Sequence, residues 1–290
     1  MMAPVLSRGR RTACAAALVL ALPLAACSDD DGGTEDPIEL TGVPADLAGA
    51  GTIRIGVKYD QPGVGLRPPG ADAPAGFDIE IGRIIADRLG IEEEDITWVE
   101  AVSESREQLL EGGSFDLVVA SYSITEERRE LVGQAGPYFT TGQQLLIRAE
   151  DEDDITGPDD LAGRRVCSVK GSTSLDRVAT EYSADPVGFT TYSECVDRLR
   201  EDEVDAVTTD GAILLGYAAQ RPNLFRVVGE PFSEERYGIG YPKDADGMCE
   251  FLTEVLGRSF DDGSWAEAFE TTLGMADVET PDPPELDPCA

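Results

Sequence analysis

The 290-residue sequence contains no histidine. That absence removes the Ser-His-Asp triad, the Cys-His dyad and every histidine-ligated metal site from consideration. Positive charge is scarce as well: 23 Lys and Arg stand against 57 Asp and Glu, a formal net charge of −34. Nucleic acid and anionic lipid headgroups repel such a surface, so neither is an expected partner. The N-terminal apolar run from Ala13 to Leu22 is too short to cross a hydrocarbon core of about 30 Å. With an ordinary apolar fraction of 41%, the chain is long enough to bury one large core or two smaller ones.

What stands around the apolar run has the order of a secretion signal. Arg8, Arg10 and Arg11 precede it, and Leu24-Ala25-Ala26-Cys27 follows it. That ending resembles a bacterial lipobox, which implies diacylglyceryl attachment to Cys27 and cleavage before it. Removing residues 1–26 takes away those three arginines and no acid. The mature chain then carries 20 basic against 57 acidic side chains, a formal −37. The acidic, Gly-containing stretch after Cys27 reads as a flexible tether over 27–48. Multiple acyl chains on such an anchor make membrane residence stable. Of six cysteines, Cys14 lies in the targeting segment and Cys27 ends it. The remaining four, Cys167, Cys195, Cys249 and Cys289, allow three disulfide pairings.

From Thr52 onward, short β-rich runs alternate with amphipathic helical ones. Thr52–Val57, Ile96–Val99, Phe115–Ala120 and Leu145–Arg148 read as strands, and Phe77–Leu89 and Ser105–Glu111 as helices. A second series follows, with strands at Arg165–Val169, Val187–Thr190, Val204–Thr208 and Tyr237–Tyr241. Helices fall at Leu175–Tyr182, Glu194–Glu201, Ala212–Ala219, Asp246–Phe260 and Trp265–Leu273, before a Pro-rich irregular tail. Strand–helix alternation predicts an α/β fold with mostly parallel sheets, and two series joined near residue 146 predict two lobes. Ligands of open α/β sheets bind beyond the carboxyl ends of the strands.

The loops at those strand ends carry complementary chemistry. They begin Lys58-Tyr59-Asp60-Gln61, Ser121-Tyr122-Ser123, Lys170-Gly171-Ser172-Thr173-Ser174 and Thr209-Asp210-Gly211. A zwitterionic amino acid needs a guanidinium and helix N-terminal amides for its carboxylate, and an acid with neutral acceptors for its ammonium. Arg128 and the helix start at Ser172-Thr173-Ser174 supply the first set. Asp210 with Ser121 and Ser123 supplies the second. Taken singly, Arg128 also reads as a solvated helix residue, and Thr173 and Asp210 as helix caps.

These residues belong to a longer pattern. Gly76-Phe77-Asp78-Ile79-Glu80, Phe115-Asp116-Leu117-Val118-Val119-Ala120, Thr125-Glu126-Glu127-Arg128 and Gly136-Pro137-Tyr138-Phe139, in that order, resemble the polar amino-acid binding proteins of ABC transporters, solute-binding family 3. Lys58 to Gly63, Cys167 to Thr173, Thr191 to Val196, Thr208-Thr209-Asp210 and Tyr237 to Gly240 are similar to the glutamate-binding lipoproteins of high-G+C Gram-positive bacteria. The resemblance covers Thr52 to Leu273.

It implies two Rossmann-like lobes joined by two crossing strands, a type II periplasmic-binding-protein-like architecture. Lobe one would comprise 49–145 plus 241–290 and lobe two 146–240, with crossings near Gln144 and Gly240. It implies that Arg128, helped by Thr173, clamps the α-carboxylate, and that Asp210, the Ser121 carbonyl and Ser123 hold the ammonium. Lys58 departs from the acid or neutral residue of many relatives. A cation there, with Arg106 and Lys170 nearby, suits a side-chain carboxylate and favours glutamate, with glutamine and aspartate left open. The same picture pairs Cys167 with Cys195, and Cys249 with Cys289.

The expected protein is a monomeric, lipid-anchored capture component on the outer face of the membrane, delivering its ligand to ABC permease subunits without any cofactor. Two rivals stay open: a receptor for a sensor kinase, and a dehydratase-like enzyme that would use Asp60 or Glu100 as its acid or base.

Overall fold

The computed structural model describes residues 37–276 and 278–289. The signal segment, Cys27 and most of the expected tether lie outside the described residues. The chain enters through α1 (Gly42–Ala50), then β1 (Ile53–Val57), the short pair β2 (Asp60–Gln61) and β3 (Gly65–Leu66), and α2 (Phe77–Arg88). There follow β4 (Ile96–Glu100), α3 (Arg106–Glu111), β5 (Leu117–Val118), α4 (Glu126–Leu131), β6 (Gly133–Thr141) and β7 (Gln143–Arg148). Next come β8 (Arg165–Val169), α5 (Thr173–Glu181), β9 (Asp185–Phe189), α6 (Tyr192–Arg200), β10 (Ala206–Asp210), α7 (Gly211–Gln220) and β11 (Phe225–Val228). The chain ends through β12 (Glu235–Tyr241), α8 (Met248–Asp262) and α9 (Ser264–Glu270).

Two five-stranded sheets organise these elements, in the orders β4-β1-β5-β12-β6 and β11-β7-β10-β8-β9. In the first sheet β1 runs parallel to β4 and β5, while β12 is antiparallel to β5 and β6. In the second, β8 runs parallel to β9 and β10, while β7 is antiparallel to β10 and β11. The inner parallel strands β1, β5, β8 and β10 are mostly buried, whereas the edge strands β4 and β9 are largely half-buried or exposed. The inward face of α2 carries Phe77, Ile79, Ile81 and Ile85, all fully buried. Asp78 and Glu80 in its first turn and Arg88 in its last complement the helix dipole.

The chain passes between the sheets twice. It leaves the first at Gly142, between β6 and β7, and returns in the segment between β11 and β12. The first passage falls next to the crossing expected near Gln144, whereas the return comes earlier than the one expected near Gly240, which lies inside β12. At Gly142 a β-carbon would meet the Ser233 carbonyl oxygen at 2.4 Å and Pro231 at 2.7 Å. The two crossing segments therefore touch backbone to backbone, where only glycine fits.

Other expectations also shift. Residues 42–48, read as tether, belong to α1. There Val43 donates to the Asp246 carbonyl at 2.9 Å, and Val43 and Leu47 pack on the main core. The strand predicted at 115–120 shortens to β5, because only Leu117 and Val118 find ladder partners. β6 and β11 carry too weak a local signal to be anticipated. Their strands exist through pairing with β12 and β7, an instance of strand propensity being set by neighbours.

Disulfides join Cys167 to Cys195, with Cα atoms 5.6 Å apart, and Cys249 to Cys289 at 5.8 Å. In the chain-entropy account each such loop contributes about 3–4 kcal/mol. The second holds the irregular tail against α8. Near its end the Asp287 carboxylate accepts from Arg129 at 2.6 Å and from Arg236 at 2.5 Å.

Candidate ligand site

A narrow, polar cavity lies between the two sheets. From the half built on the first sheet it is lined by Ser103, Arg106, Ser121, Ser123 and Arg128. From the other half come Ser172, Thr173, Ser174, Tyr192, Thr209, Asp210 and Ile213. Seven of the predicted residues, Ser172 among them, thus meet in one place. Lys58 approaches through Ser103. Neither Lys58 nor Lys170 is itself among the lining residues; Lys58 is buried and bonded to the lining Ser103, whereas Lys170 is exposed.

The cationic side is built on β1, α3 and α4. Lys58 follows β1 and is only 5% exposed; its Nζ donates to Ser103 Oγ at 2.8 Å. Burial, reinforced by Arg106, pushes its pKa down to about 7, while Asp60 and Asp78 pull the other way. It makes no ion pair with any acid among the described residues. Arg106, at the start of α3 and 2% exposed, donates to the Ala120 carbonyl at 3.1 Å. Burial and the neighbouring Arg128 lower it to about 10, and its Nε has no hydrogen-bond partner among the described residues.

Arg128 sits one turn into α4, whose N-cap Thr125 accepts from the Arg128 amide at 3.1 Å. Its guanidinium donates to the Ser123 carbonyl at 2.7 Å and, across the cleft, to the Gly171 carbonyl at 3.0 Å. The guanidinium carbons of Arg106 and Arg128 lie 4.3 and 5.0 Å from the centroid of the Tyr122 ring. The Tyr122 hydroxyl donates to Glu107 at 2.7 Å, and Glu107 stands 3.4 Å from Arg128 Nε.

The anionic side is Asp210, at the end of β10. It occupies the N-cap position of α7, yet its side chain makes no cap bond. Instead Oδ2 accepts from the Tyr237 hydroxyl at 2.6 Å, and Oδ1 is buried with no partner among the described residues. Burial first, then Glu235, pushes its pKa up to about 7. The cap on α5 belongs to Ser172, which accepts from the Leu175 amide at 3.1 Å, while Thr173 donates to Glu235 at 3.0 Å. Ser121 has φ = 43°, a conformation rarely adopted by residues with a side chain. Asp78 holds it there by accepting from the Ser121 amide at 2.7 Å, with the Tyr138 hydroxyl on its other oxygen at 2.6 Å.

Several of these residues escape sequence reasoning: Ser103, Tyr122, Tyr192, Thr209, Ile213 and Tyr237. The tyrosines stood inside the quoted motifs, so attention to buried hydroxyls there could have found them; Ser103 carried no signal. Asp60 and Glu100 do not line the cavity. Glu100 is exposed at the end of β4, and Asp60 holds amides of α6. A second hollow of about 580 Å³, near Pro62, Phe139, Leu215 and Phe269, has no charged lining. Among the described residues, no cluster of acids or cysteines could hold a metal ion, and no helix is long and apolar enough to cross a membrane.

Buried opposite charges thus face one another from the two halves, with Arg106 Nε and Asp210 Oδ1 each lacking a hydrogen-bond partner among the described residues. The chain's relatives are binding proteins. It is 40% identical, over 90% of both chains, to the glutamate-binding protein GluB of Corynebacterium efficiens. It is 36% identical to a glutamine-binding protein of Geobacillus stearothermophilus, over 82% of this chain and 94% of that one. Among solved structures, the solute receptor for L-cysteine of Neisseria gonorrhoeae superposes with a TM-score of 0.76. That match has 26% identity and covers 82% of this chain and 97% of the receptor. Residues 53–275 match the family as a whole, and the chain belongs to the bacterial extracellular solute-binding proteins, family 3.

Proposed function

We propose that this protein captures L-glutamate between its two halves and delivers it to an ABC permease, from a lipid anchor on Cys27 at the outer face of the membrane. In this reading Arg128, with the amides at the start of α5, takes the α-carboxylate. Asp210 and the Ser121 carbonyl take the ammonium. Lys58, oriented by Ser103 and seconded by Arg106, takes the side-chain carboxylate. The halves act as lobes that open and close around the ligand.

The observation that carries the choice of glutamate is the buried Lys58 ammonium. It donates to a neutral hydroxyl and has no acid to pair with among the described residues. A buried charge is normally paired, and a ligand carboxylate completes this one. The glutamate-binding and glutamine-binding relatives agree on the ligand backbone and differ at its side chain. A thermal-shift screen of the twenty amino acids against the unacylated protein tests the assignment. Glutamate should raise the melting temperature most, by an amount set by its excess over Kd. A larger shift with glutamine than with glutamate would overturn it. For the anchor, a Cys27→Ala protein should appear in the medium rather than in the membrane fraction.

A further inference from the structure

Asp60 lies two residues beyond Lys58, yet it does not line the cavity. Its carboxylate reaches across the cleft. Oδ2 accepts from the Tyr192 amide at 2.7 Å and from the Ser193 amide at 3.1 Å, the first two residues of α6 on the opposite half. A helix start leaves its first amides without intrahelical partners. The N-cap Thr191 serves the amide of Glu194 only. The two preceding amides are therefore satisfied by an acid from the other half, and the helix dipole strengthens that contact.

The surroundings complete a seat. The Tyr217 hydroxyl, on α7, donates to the Asp60 carbonyl and stands 3.4 Å from Oδ2. Next to it, a β-carbon on Gly216 would lie 2.1 Å from the Pro62 carbonyl oxygen, so α7 meets the Asp60–Pro62 backbone directly. Tyr192 connects this seat to the ligand cavity. Its amide binds Asp60, while its hydroxyl accepts from Thr209 at 2.7 Å and its side chain lines the cavity.

We infer that Asp60 is a positioning residue that sets the affinity of the site without touching the ligand, by docking α6 and Tyr192 onto the opposite half. The inference rests on the reading that an amino acid is enclosed between the halves, but not on which one. Its contacts form only when the halves meet, so it slows ligand release and leaves capture unchanged.

Calorimetry and stopped-flow kinetics of Asp60→Ala, Asp60→Asn and Tyr217→Phe, with glutamate and glutamine, test it. Asp60→Ala should raise Kd for both ligands by the same factor, about 10- to 100-fold, the equivalent of one charge-assisted hydrogen bond. The increase should fall on the dissociation rate, with the melting temperature of the protein without ligand near wild type. Asp60→Asn and Tyr217→Phe should move in the same direction by less. Unchanged Kd in all three variants would overturn the inference. So would a lower melting temperature with unchanged Kd, which marks a brace within one half. A loss confined to glutamate would also overturn it, since Asp60 would then act only through the charge of Lys58. A wrong ligand assignment shows in the wild-type titrations themselves, and the comparison then runs with whichever amino acid wild type binds.

Discussion

Replacing Lys58 with methionine probes the site most directly, because it removes the ammonium while keeping length and apolar bulk. Burial holds this group near pH 7 where a free lysine titrates at 10.5. At 1.36 kcal/mol per pH unit, keeping it charged in the folded protein costs about 5 kcal/mol, an upper figure. The sign follows from proton counting. Between pH 7 and 10.5 the unfolded chain holds the lysine proton and the folded chain does not, so stability rises with pH across that window. Below pH 7 both states are charged and the folded state bears the full penalty. Lys58→Met should therefore melt several degrees above wild type at pH 7 without ligand, with the gain vanishing as pH approaches 10.5. Glutamate binding should reverse the ranking. Losing the partner of a buried carboxylate costs roughly 2–5 kcal/mol, so Kd for glutamate should rise about 30-fold or more while glutamine binds as well or better. Calorimetry in buffers of different ionisation enthalpy gives a second readout. At pH 7 uptake by Lys58 and release by Asp210, about half a proton each, should nearly cancel in wild type; by pH 8.5, where Asp210 is already ionised, wild type should take up about one proton per glutamate and the variant none. Unchanged glutamate affinity with no gain for glutamine would refute the assignment of Lys58 to the side-chain carboxylate.

Three further outcomes are expected. Asp210→Asn should weaken every amino acid about 100-fold in calorimetry, since each has an α-ammonium. Because the folded carboxyl titrates near 7 and an unfolded one near 3.8, the same change should stabilise the protein without ligand above pH 7, with the gain shrinking as pH falls toward 4 in thermal melts. Gly216→Ala, whose new methyl meets the Pro62 carbonyl, should raise Kd for glutamate and glutamine alike and leave the far-ultraviolet circular dichroism of the protein unchanged. The double change Cys249→Ser, Cys289→Ser should cost up to about 3–4 kcal/mol of stability, read as a lower melting temperature, and non-reducing mass spectrometry of wild type should find no free thiol among the four paired cysteines.

The two sheets were largely readable from local pattern, because parallel, doubly buried strands such as Ile53–Val57 and Arg165–Val169 announce themselves as apolar β-branched runs. β6 shows the limit. Its sequence, GQAGPYFTT, holds three poor strand formers among its first five residues and becomes a nine-residue strand because β12 pairs with it. The crossing expected near Gln144 falls at Gly142, while the one expected near Gly240 comes before β12 begins at Glu235. The site divides in the same way. Charged residues at strand ends could be listed, and Arg128 and Asp210 meet as expected. Lys170 could not be told apart from Lys58 by type or by position after a strand.

The sequence by itself determined the class of chemistry. Cations and an acid placed in loops at strand ends pointed to binding of a small polar molecule, and the absence of histidine excluded His-dependent triads and His-ligated metal sites. The order of its motifs determined the family. Tertiary structure alone decided which charges matter, because a charge gains leverage only where solvent is excluded, and exclusion depends on contacts far apart in the chain. It buried Lys58 and Arg106 and left Lys170 in water. It gave Asp210 the Tyr237 hydroxyl in place of a helix cap, and it turned Asp60 from a suspected catalyst into the acid that completes a helix on the other half.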